Sequence, residues 1–169
     1  METPCPSPHS TTEAASTLAD AVVLDTNVVL DWLLFRDRGC TVLAARLEAR
    51  RLSWHATEAM RAELASVLPR RQLQLWHKDG EHVLTAFDER AVLLPAISVL
   101  ADKFGLRCRD ADDQKFIDLA CAIGARWLLT RDRALLDLAK AARRHGVEVL
   151  RPADWAQRYG SDAQSSTAG

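Results

Sequence analysis

Residues 21–28 read AVVLDTNV, a short apolar run that ends in the carboxylate of Asp25. The length of this run and its valines predict a buried strand of a parallel sheet over 21–25. Asn27 is a favourable residue at the start of a helix, so a helix is predicted over 28–35, directly after the strand. A strand followed at once by a helix is the repeating unit of an α/β sheet.

The same alternation of strand and helix patterns continues along the rest of the chain. Further strands are predicted over 52–55, 126–130 and 147–150. Helices are predicted over 41–51, 58–67, 79–92, 97–104, 113–123 and 133–145, and after Pro152. This order predicts an α/β fold in which helices cover both faces of a parallel sheet. Ligand sites of such sheets gather at the carboxyl ends of the strands.

The composition indicates one globular domain with a short segment on either side. The chain has 169 residues, 48% apolar and 27% charged, as is typical of a single folded domain. Residues 1–19 and 160–169 are rich in small polar residues and carry no helical stripe, so they are predicted to be a disordered leader and tail. The folded domain is expected over 20–159. No apolar run is long enough to cross a membrane.

Charge and cysteine content narrow the class of protein further. The first 20 residues hold acids but no lysine or arginine, so the remainder is mildly basic, which permits a nucleic-acid partner. The four cysteines are scattered, without a Cys-x-x-Cys pair or a zinc-type cluster. The N-terminus also lacks the pattern of a signal peptide. A reduced, cytoplasmic protein is therefore expected.

Two acids in predicted helices lie on the apolar side of their helix, where a solvated charge is not expected. On helix 113–123, at 100° per residue, Asp113 lies in the middle of the apolar stripe. Lys115 and Asp118 fall on the opposite side, where solvated charges belong. Glu63 lies within the apolar arc of its own helix in the same way. The structural alternatives are a helix-dipole contact for Asp113 and a side chain that reaches water for Glu63.

Two further acids lie where predicted strands end. Asp25 closes the first strand, and Asp132 follows the strand over 126–130. Four carboxylates converging on one edge of a sheet would repel one another unless a cation were bound. Ligands that offer only oxygen suit Mg²⁺ or Mn²⁺, and water activated at such an ion can attack a phosphodiester. The pattern predicts metal-assisted hydrolysis of phosphodiester bonds.

Four motifs carry these acids, in a fixed order along the chain. They are VLDTNV (23–28), RAEL (61–64), DADDQKFIDLA (110–120) and LLTRD (128–132). Together they resemble the PIN-domain family of metal-dependent ribonucleases, and most of all its VapC-like members, the toxin components of bacterial toxin–antitoxin systems. The resemblance extends over about residues 21–159.

The resemblance implies a three-layer α/β/α sandwich with a parallel sheet, and an endoribonuclease that uses Mg²⁺ or Mn²⁺. It further implies RNA as the substrate, a protein antitoxin as the partner, a homodimer, and no association with a membrane. Asn27 and Thr130 would line the site and orient water or carboxylates. The residues that would both bind the metal and act in catalysis are the four acids Asp25, Glu63, Asp113 and Asp132.

Several assignments stay open at this level. Asp110 and Asp112 compete with Asp113 for the third acid position, and the helical stripe favours Asp113. Asp31 and Asp118 are expected to be solvated. Six arginines lie near the predicted acids and would either hold flanking phosphates or merely balance the acidic charge: Arg70, Arg71, Arg107, Arg109, Arg131 and Arg133.

The tryptophans have two possible uses. Trp54 and Trp127 fall in predicted strands and are expected in the core. Trp32 and Trp76 are expected to pack in the core as well, with a subunit interface or stacking on a base as the alternative.

Other classes of protein remain possible on the same residues. A PIN fold can bind RNA or a protein without significant catalysis, or process RNA outside a toxin–antitoxin system. A haloacid-dehalogenase-like phosphatase would need a second aspartate two residues after Asp25, where this chain has Asn27. A response regulator would need a central phosphoacceptor aspartate and a late lysine, and neither is suitably placed.

Overall fold

The computed structural model describes residues 21–70, 80–95 and 104–160. The predicted leader, nearly all of the predicted tail and nearly all of the helix predicted over 97–104 lie outside these residues. Arg71 and Trp76 lie outside them as well.

Five short segments form one parallel sheet. They are β1 (Ala21–Leu24), β2 (Ser53–Thr57), β3 (Ala91–Leu94), β4 (Trp127–Leu129) and β5 (Glu148–Leu150). Their spatial order is β3-β2-β1-β4-β5, and all neighbouring strands run parallel. The central strand β1 is buried along its whole length, as expected of a strand that is covered on both faces.

Helices connect successive strands. The described residues contain eight α-helices: α1 (Thr26–Leu33), α2 (Thr41–Glu48), α3 (Glu58–Val67), α4 (Gly80–Arg90), α5 (Gln114–Ala122), α6 (Arg133–Leu136), α7 (Ala139–Ala142) and α8 (Pro152–Tyr159). The predicted α/β/α sandwich is thus confirmed. Within the described part of the chain, no helix has both the length and the apolar character needed to cross a membrane.

Strand β3 corrects the sequence prediction, which extended one helix over 79–92. Helix α4 ends at Arg90, and the strand begins at Ala91 without an intervening loop. The strand pairs with β2 from Trp54↔Ala91 to Thr57↔Leu94. Pairing with a strand more than 30 residues away determines this conformation, and a local helical pattern cannot reveal such a partner.

Two predicted helices are also shorter or less regular than expected. The helix predicted over 41–51 ends at Glu48, and Arg50 follows in the left-handed region at φ 54°. The helix predicted over 133–145 is divided into α6, α7 and a short 3₁₀ turn, after which Gly146 adopts φ 81°. A residue in the left-handed region commonly ends a helix, because it turns the chain away from the helix axis.

Aromatic packing fixes the helices that lie next to the central strands. Trp54 of β2 makes edge-to-face contacts with Trp32 of α1 at 5.7 Å and with Phe87 of α4 at 4.7 Å between ring centroids. Such contacts stabilise beyond the area they bury. Trp54, Trp127 and Trp32 are all buried, so their prediction as core residues is confirmed. The side chain of Trp32 is only 7% exposed, which leaves little of its ring for a subunit interface or a base.

Candidate functional site

Asp25 lies at the carboxyl end of the central strand β1 and is only 1% exposed. Its backbone is extended, and its Oδ1 accepts a hydrogen bond from the amide of Asn27 at 3.2 Å. Asp25 is therefore the N-cap of α1, and the helix begins at Thr26. The prediction of Asn27 as the cap was wrong, because the carboxylate at the end of the strand already accepts from a free amide in the first turn of the helix, that of Asn27.

Thr130 connects two of the predicted acids. It is completely buried, directly after β4, and its hydroxyl donates to Oδ2 of Asp25 at 2.7 Å. The same hydroxyl oxygen accepts a hydrogen bond from the amide of Asp132 at 2.9 Å. Asp132 in turn caps α6, since its Oδ1 accepts from the amide of Ala134 at 2.6 Å. The ends of β1 and β4 are thereby held in one hydrogen-bonded unit.

Two neighbouring pockets open at this edge of the sheet. The first has a volume of about 620 Å³, and Asp25, Glu63 of α3 and Asp113 line it together with Asn27. The second has a volume of about 440 Å³ and contains Asp132. It is also lined by Arg109, Asp110 and Arg133. The four predicted acids therefore converge on one region but face two adjoining pockets.

The surroundings of Asp25 disfavour its charged form. Burial raises the pKa of this carboxyl above its ordinary value, and the hydrogen bonds from Thr130 and Asn27 offset part of that rise. The nearby charges of Glu63 and Asp132 raise the pKa further. A carboxylate that is buried among other carboxylates is stabilised by a cation, so this position favours one.

The pKa of the Asp113 carboxyl is also raised by its surroundings. Burial raises its pKa to about 7, and four nearby carboxylates contribute to the rise, those of Asp25, Asp132, Asp110 and Glu63. Asp113 precedes α5 at the N-cap position but makes no side-chain hydrogen bond to the helix. Its carboxyl group is therefore not occupied by an ordinary capping role.

A family model of the PIN domain matches residues 21–134 of this chain. The chain belongs to the PIN domain family. No curated protein is similar enough to count as a match.

Two solved structures resemble this PIN domain. VapBC2 from Rickettsia felis, bound to a DNA fragment from their promoter, superimposes with a TM-score of 0.52 at 15% identity, covering 76% of this chain and 96% of that one. FitAB bound to an IR36 DNA fragment gives a TM-score of 0.47 at 21% identity, covering 78% of this chain and 94% of that one. At this identity the likeness to VapBC2 shows a shared fold.

The four acids of this PIN domain offer the kind of ligand atom that a hard divalent cation prefers. All four offer oxygen alone, which suits Mg²⁺ or Mn²⁺. As the side chains stand, no three carboxylate, histidine or cysteine groups in the described part of the chain are arranged so that they could hold a metal ion. A cation does touch one of the acids, since Lys115 forms an ion pair with Glu63. The donor set therefore fits the ion, and the protein's own ammonium group neutralises part of it.

The arginines near the acids differ in their surroundings. Arg70 lines the first pocket, and Arg109 and Arg133 line the second. Arg131 instead forms an ion pair with Asp31 at 2.6 Å. That pair corrects the prediction of a solvated Asp31, whose side chain is only 13% exposed, and it leaves Arg131 less available for a phosphate.

Asp118 is the second acid predicted to be solvated, and that prediction is wrong as well. Asp118 is only 8% exposed, and its Oδ1 accepts a hydrogen bond from Nε2 of Gln114 at 3.0 Å. Burial raises the pKa of Asp118, and the hydrogen bond from Gln114 offsets part of the rise. The same Nε2 of Gln114 also donates to the carbonyl of Leu106 at 2.8 Å, so Asp118 is linked to the chain segment before α5, which a helical wheel drawn for α5 alone does not include.

Lys115 is a charged residue at the site that sequence reasoning missed. The helical wheel placed it on the outward side, but in the structure it lines the first pocket and contacts Glu63. One signal was available in the sequence. A lysine in the first turn of a helix opposes the helix dipole, which is unfavourable unless another group compensates.

Proposed function

We propose that this PIN domain, over residues 20–159, is a divalent-metal-dependent endoribonuclease that hydrolyses RNA phosphodiester bonds. The observation that carries the proposal is the convergence of four carboxylates on the carboxyl edge of the sheet, two of which have raised pKa values. Membership of the PIN family supports nuclease chemistry. The residues assigned to metal binding and catalysis are Asp25, Glu63, Asp113 and Asp132.

Each residue has a distinct part in this arrangement. Asp25 has both of its carboxylate oxygens held, one by the hydroxyl of Thr130 and one by the amide of Asn27. Asp132 is fixed by its capping bond and by its amide contact with Thr130. A bound divalent cation would lower the pKa of water and stabilise the charge that develops on the phosphate. The side chain of Asn27 is exposed at the pocket, where it can orient water.

The second pocket suits the phosphates next to the scissile bond. Arg109 and Arg133 are exposed there beside Asp132, and no ion pair occupies either guanidinium among the described residues. Guanidinium groups bind phosphate oxygens through paired, charge-assisted hydrogen bonds. Such contacts position the nucleic acid without reading its sequence.

A toxin–antitoxin role is the biological setting that we propose. VapBC2 of Rickettsia felis forms a complex on its own promoter DNA, and this chain shares its fold. By analogy, the chain would be a toxin held inactive by a protein antitoxin, would form a homodimer, and would act in the cytoplasm. A small neighbouring gene that encodes a DNA-binding protein, and whose product co-purifies with this chain, would support that role.

RNA cleavage by the purified protein tests the enzymatic proposal. We expect single-stranded RNA to be cut internally in Mn²⁺ or Mg²⁺ and to stay intact in EDTA. Asp25→Asn, purified in the same way, controls for a contaminating ribonuclease and should be inactive. Equal cleavage by wild type and Asp25→Asn, or equal cleavage in EDTA, would contradict the proposal. Binding of RNA without cleavage would indicate a binding module instead.

A further inference from the structure

Lys115 lies in the first turn of α5, where a lysine is locally unfavourable. The N-terminal end of a helix is positive and favours acids. The acid at the N-cap, Asp113, makes no side-chain bond to the helix amides. The start of this helix thus lacks both a favourable charge in its first turn and a capping bond from the N-cap side chain. Departures from local preference in natural proteins are concentrated at functional sites.

Three groups hold the ammonium of Lys115. Its Nζ pairs with Oε2 of Glu63 and donates a hydrogen bond to the carbonyl of Asp112. It also lies 4.8 Å from the centre of the Phe116 ring, within the range of a cation–π contact. The side chains of Lys115 and Glu63 remain 25% and 28% exposed, so the pair is open to exchange with ions in solution.

We propose that Lys115 and a divalent cation compete for Glu63, and that the displaced ammonium then binds a phosphate oxygen of the RNA substrate. The proposal rests on the proposed function of the site. Lys115 and Glu63 line the same pocket, of about 620 Å³, as Asp25 and Asp113. A divalent cation that binds among those acids would therefore lie close to Glu63, the partner of Lys115.

The chemistry of lysine suits both proposed contacts of the ammonium, with Glu63 in the metal-free protein and with a phosphate oxygen in the loaded one. Its ammonium is a compact charge on a flexible four-carbon chain, so it can move within the pocket while the backbone of α5 stays in place. Lysine is also a common ligand of phosphate, which it binds as a point charge. In the metal-free protein the ammonium reduces repulsion among the acids. In the loaded protein it would add a positive charge beside the scissile phosphate.

Calorimetric titration of the full chain with Mn²⁺, in the absence of RNA, tests the competition. Lys115→Gln removes the competing charge, so we expect Mn²⁺ to bind about two- to fivefold more tightly, the range for a partly exposed ion pair. Arg70→Gln is the matched control. Arg70 is exposed in the same pocket without an ion pair among the described residues, and its loss should change the affinity less.

A double-mutant cycle shows whether the effect passes through Glu63. In a Glu63→Gln background, Lys115→Gln should no longer tighten Mn²⁺ binding, because the pair is already broken. Circular dichroism of each variant confirms that it is folded. An equal gain for Lys115→Gln and Arg70→Gln, or a gain that persists without Glu63, would overturn the competition and leave the proposed nuclease unaffected.

Cleavage kinetics at saturating Mn²⁺ test the phosphate contact. Lys115→Gln should lower kcat/KM for RNA by about ten- to a hundredfold, the effect of one charge-assisted hydrogen bond. Lys115→Arg should recover most of that loss, whereas Lys115→Met should not. Unchanged kcat/KM in Lys115→Gln would overturn the phosphate contact. A wild-type protein that binds Mn²⁺ but cuts no RNA would instead refute the proposed function, and the titration would still decide the competition.

Discussion

Asp113 stands at the start of α5 without capping it. Its φ and ψ of −86° and −12° are helical rather than extended, and its carboxyl makes no bond to the first amides of the helix. Asp132 and Asp25 have extended backbones and do cap their helices. The contrast separates two kinds of acid at the site. Two are held in place by capping bonds, and one has a carboxyl group that is free to bind a ligand.

We predict that Asp25→Asn, Asp113→Asn and Asp132→Asn each lower the RNA cleavage rate by at least about a hundredfold. The amide keeps the shape of the side chain but removes a charge that would stabilise the transition state, and loss of one such contact has about this effect. The measurement is the single-turnover rate in Mn²⁺.

Asp137→Asn is the control for these variants, because Asp137 is an exposed acid just after α6. It should cleave at the wild-type rate. Asp112→Asn addresses the alternative assignment of the third acid. An inactive Asp112→Asn beside an active Asp113→Asn would show that Asp112, which lines the same pocket, is the functional acid.

Single residues were predictable where their own helix decides their position. The apolar stripes of α5 and α3 singled out Asp113 and Glu63, and both residues line the pocket that Asp25 also lines. The stripe does not separate Asp113 from Asp112, which lines the same pocket. The same reasoning failed for Asp118 and Lys115. Their surroundings come from a loop and from another helix, and the period of a single helix contains no information about either.

At the scale of elements, Gln114 holds the segment before α5 against the helix. Its Oε1 accepts from the amide of Cys108 at 2.6 Å, and its Nε2 donates to the carbonyl of Leu106 at 2.8 Å and to Asp118. Residues 106–113 thereby form a loop with fixed ends. The same loop carries Arg109, which lines the second pocket.

We predict that Gln114→Ala lowers the melting temperature by about 6–12 °C. Three hydrogen bonds contribute about 1 kcal/mol each, and each kcal/mol corresponds to about 2–4 °C in a chain of this size. Cleavage should fall as well, because the loop that positions Asp113 loosens. Differential scanning calorimetry with Gln157→Ala, an exposed glutamine of α8, gives the comparison. Equal melting of the two variants would show that the loop is held by other contacts.

Elements were predictable to the extent that their pattern is local. Four of the five strands were recognised as short segments between helix signals, although β2, which reads SWHAT, is less apolar than the others. Strand β3 was not, since half-exposed Val92 and Leu93 lie at the sheet edge and continue the pattern of α4. The division of the helix predicted over 133–145 was missed because no proline or glycine within 133–145 marks the break.

At the scale of the whole molecule, strand order brings the acids together. Strands β1 and β4 are neighbours although about 100 residues separate them, and their pairing places Leu24 beside Leu129. Asp25 and Thr130 follow these residues directly, so the strand register places them side by side, where their side chains form a hydrogen bond. Sequence reasoning supplied the general rule that sites lie at the carboxyl ends of strands. It could not supply the strand order itself, which depends on packing of the whole chain.

This convergence makes stability depend on pH. The pKa of Asp113 is about 7 in the folded protein, above its value in the unfolded chain, so the folded state binds more protons between the two values. The contribution of Asp113 to stability therefore falls as the pH rises from about 4 to about 7, and above that range the penalty is complete. Partial exposure of the side chain reduces the size of the effect but not its sign.

We predict that Asp113→Asn melts at a higher temperature than wild type in EDTA, by about 2–4 °C for each kcal/mol of repulsion removed. The gain should be larger at about pH 8 than at about pH 5, because the wild-type carboxyl is charged only at the higher pH.

Mn²⁺ at a hundredfold excess over Kd should stabilise the wild type by about 2.7 kcal/mol, or about 5–10 °C. Asp113→Asn should gain much less, since it lacks one proposed ligand. Calorimetric melting of both proteins, with and without Mn²⁺, decides the matter. If Asp113→Asn melted below wild type in EDTA and gained as much from Mn²⁺, Asp113 would be a structural residue at the start of a helix and the proposed metal site would lie elsewhere.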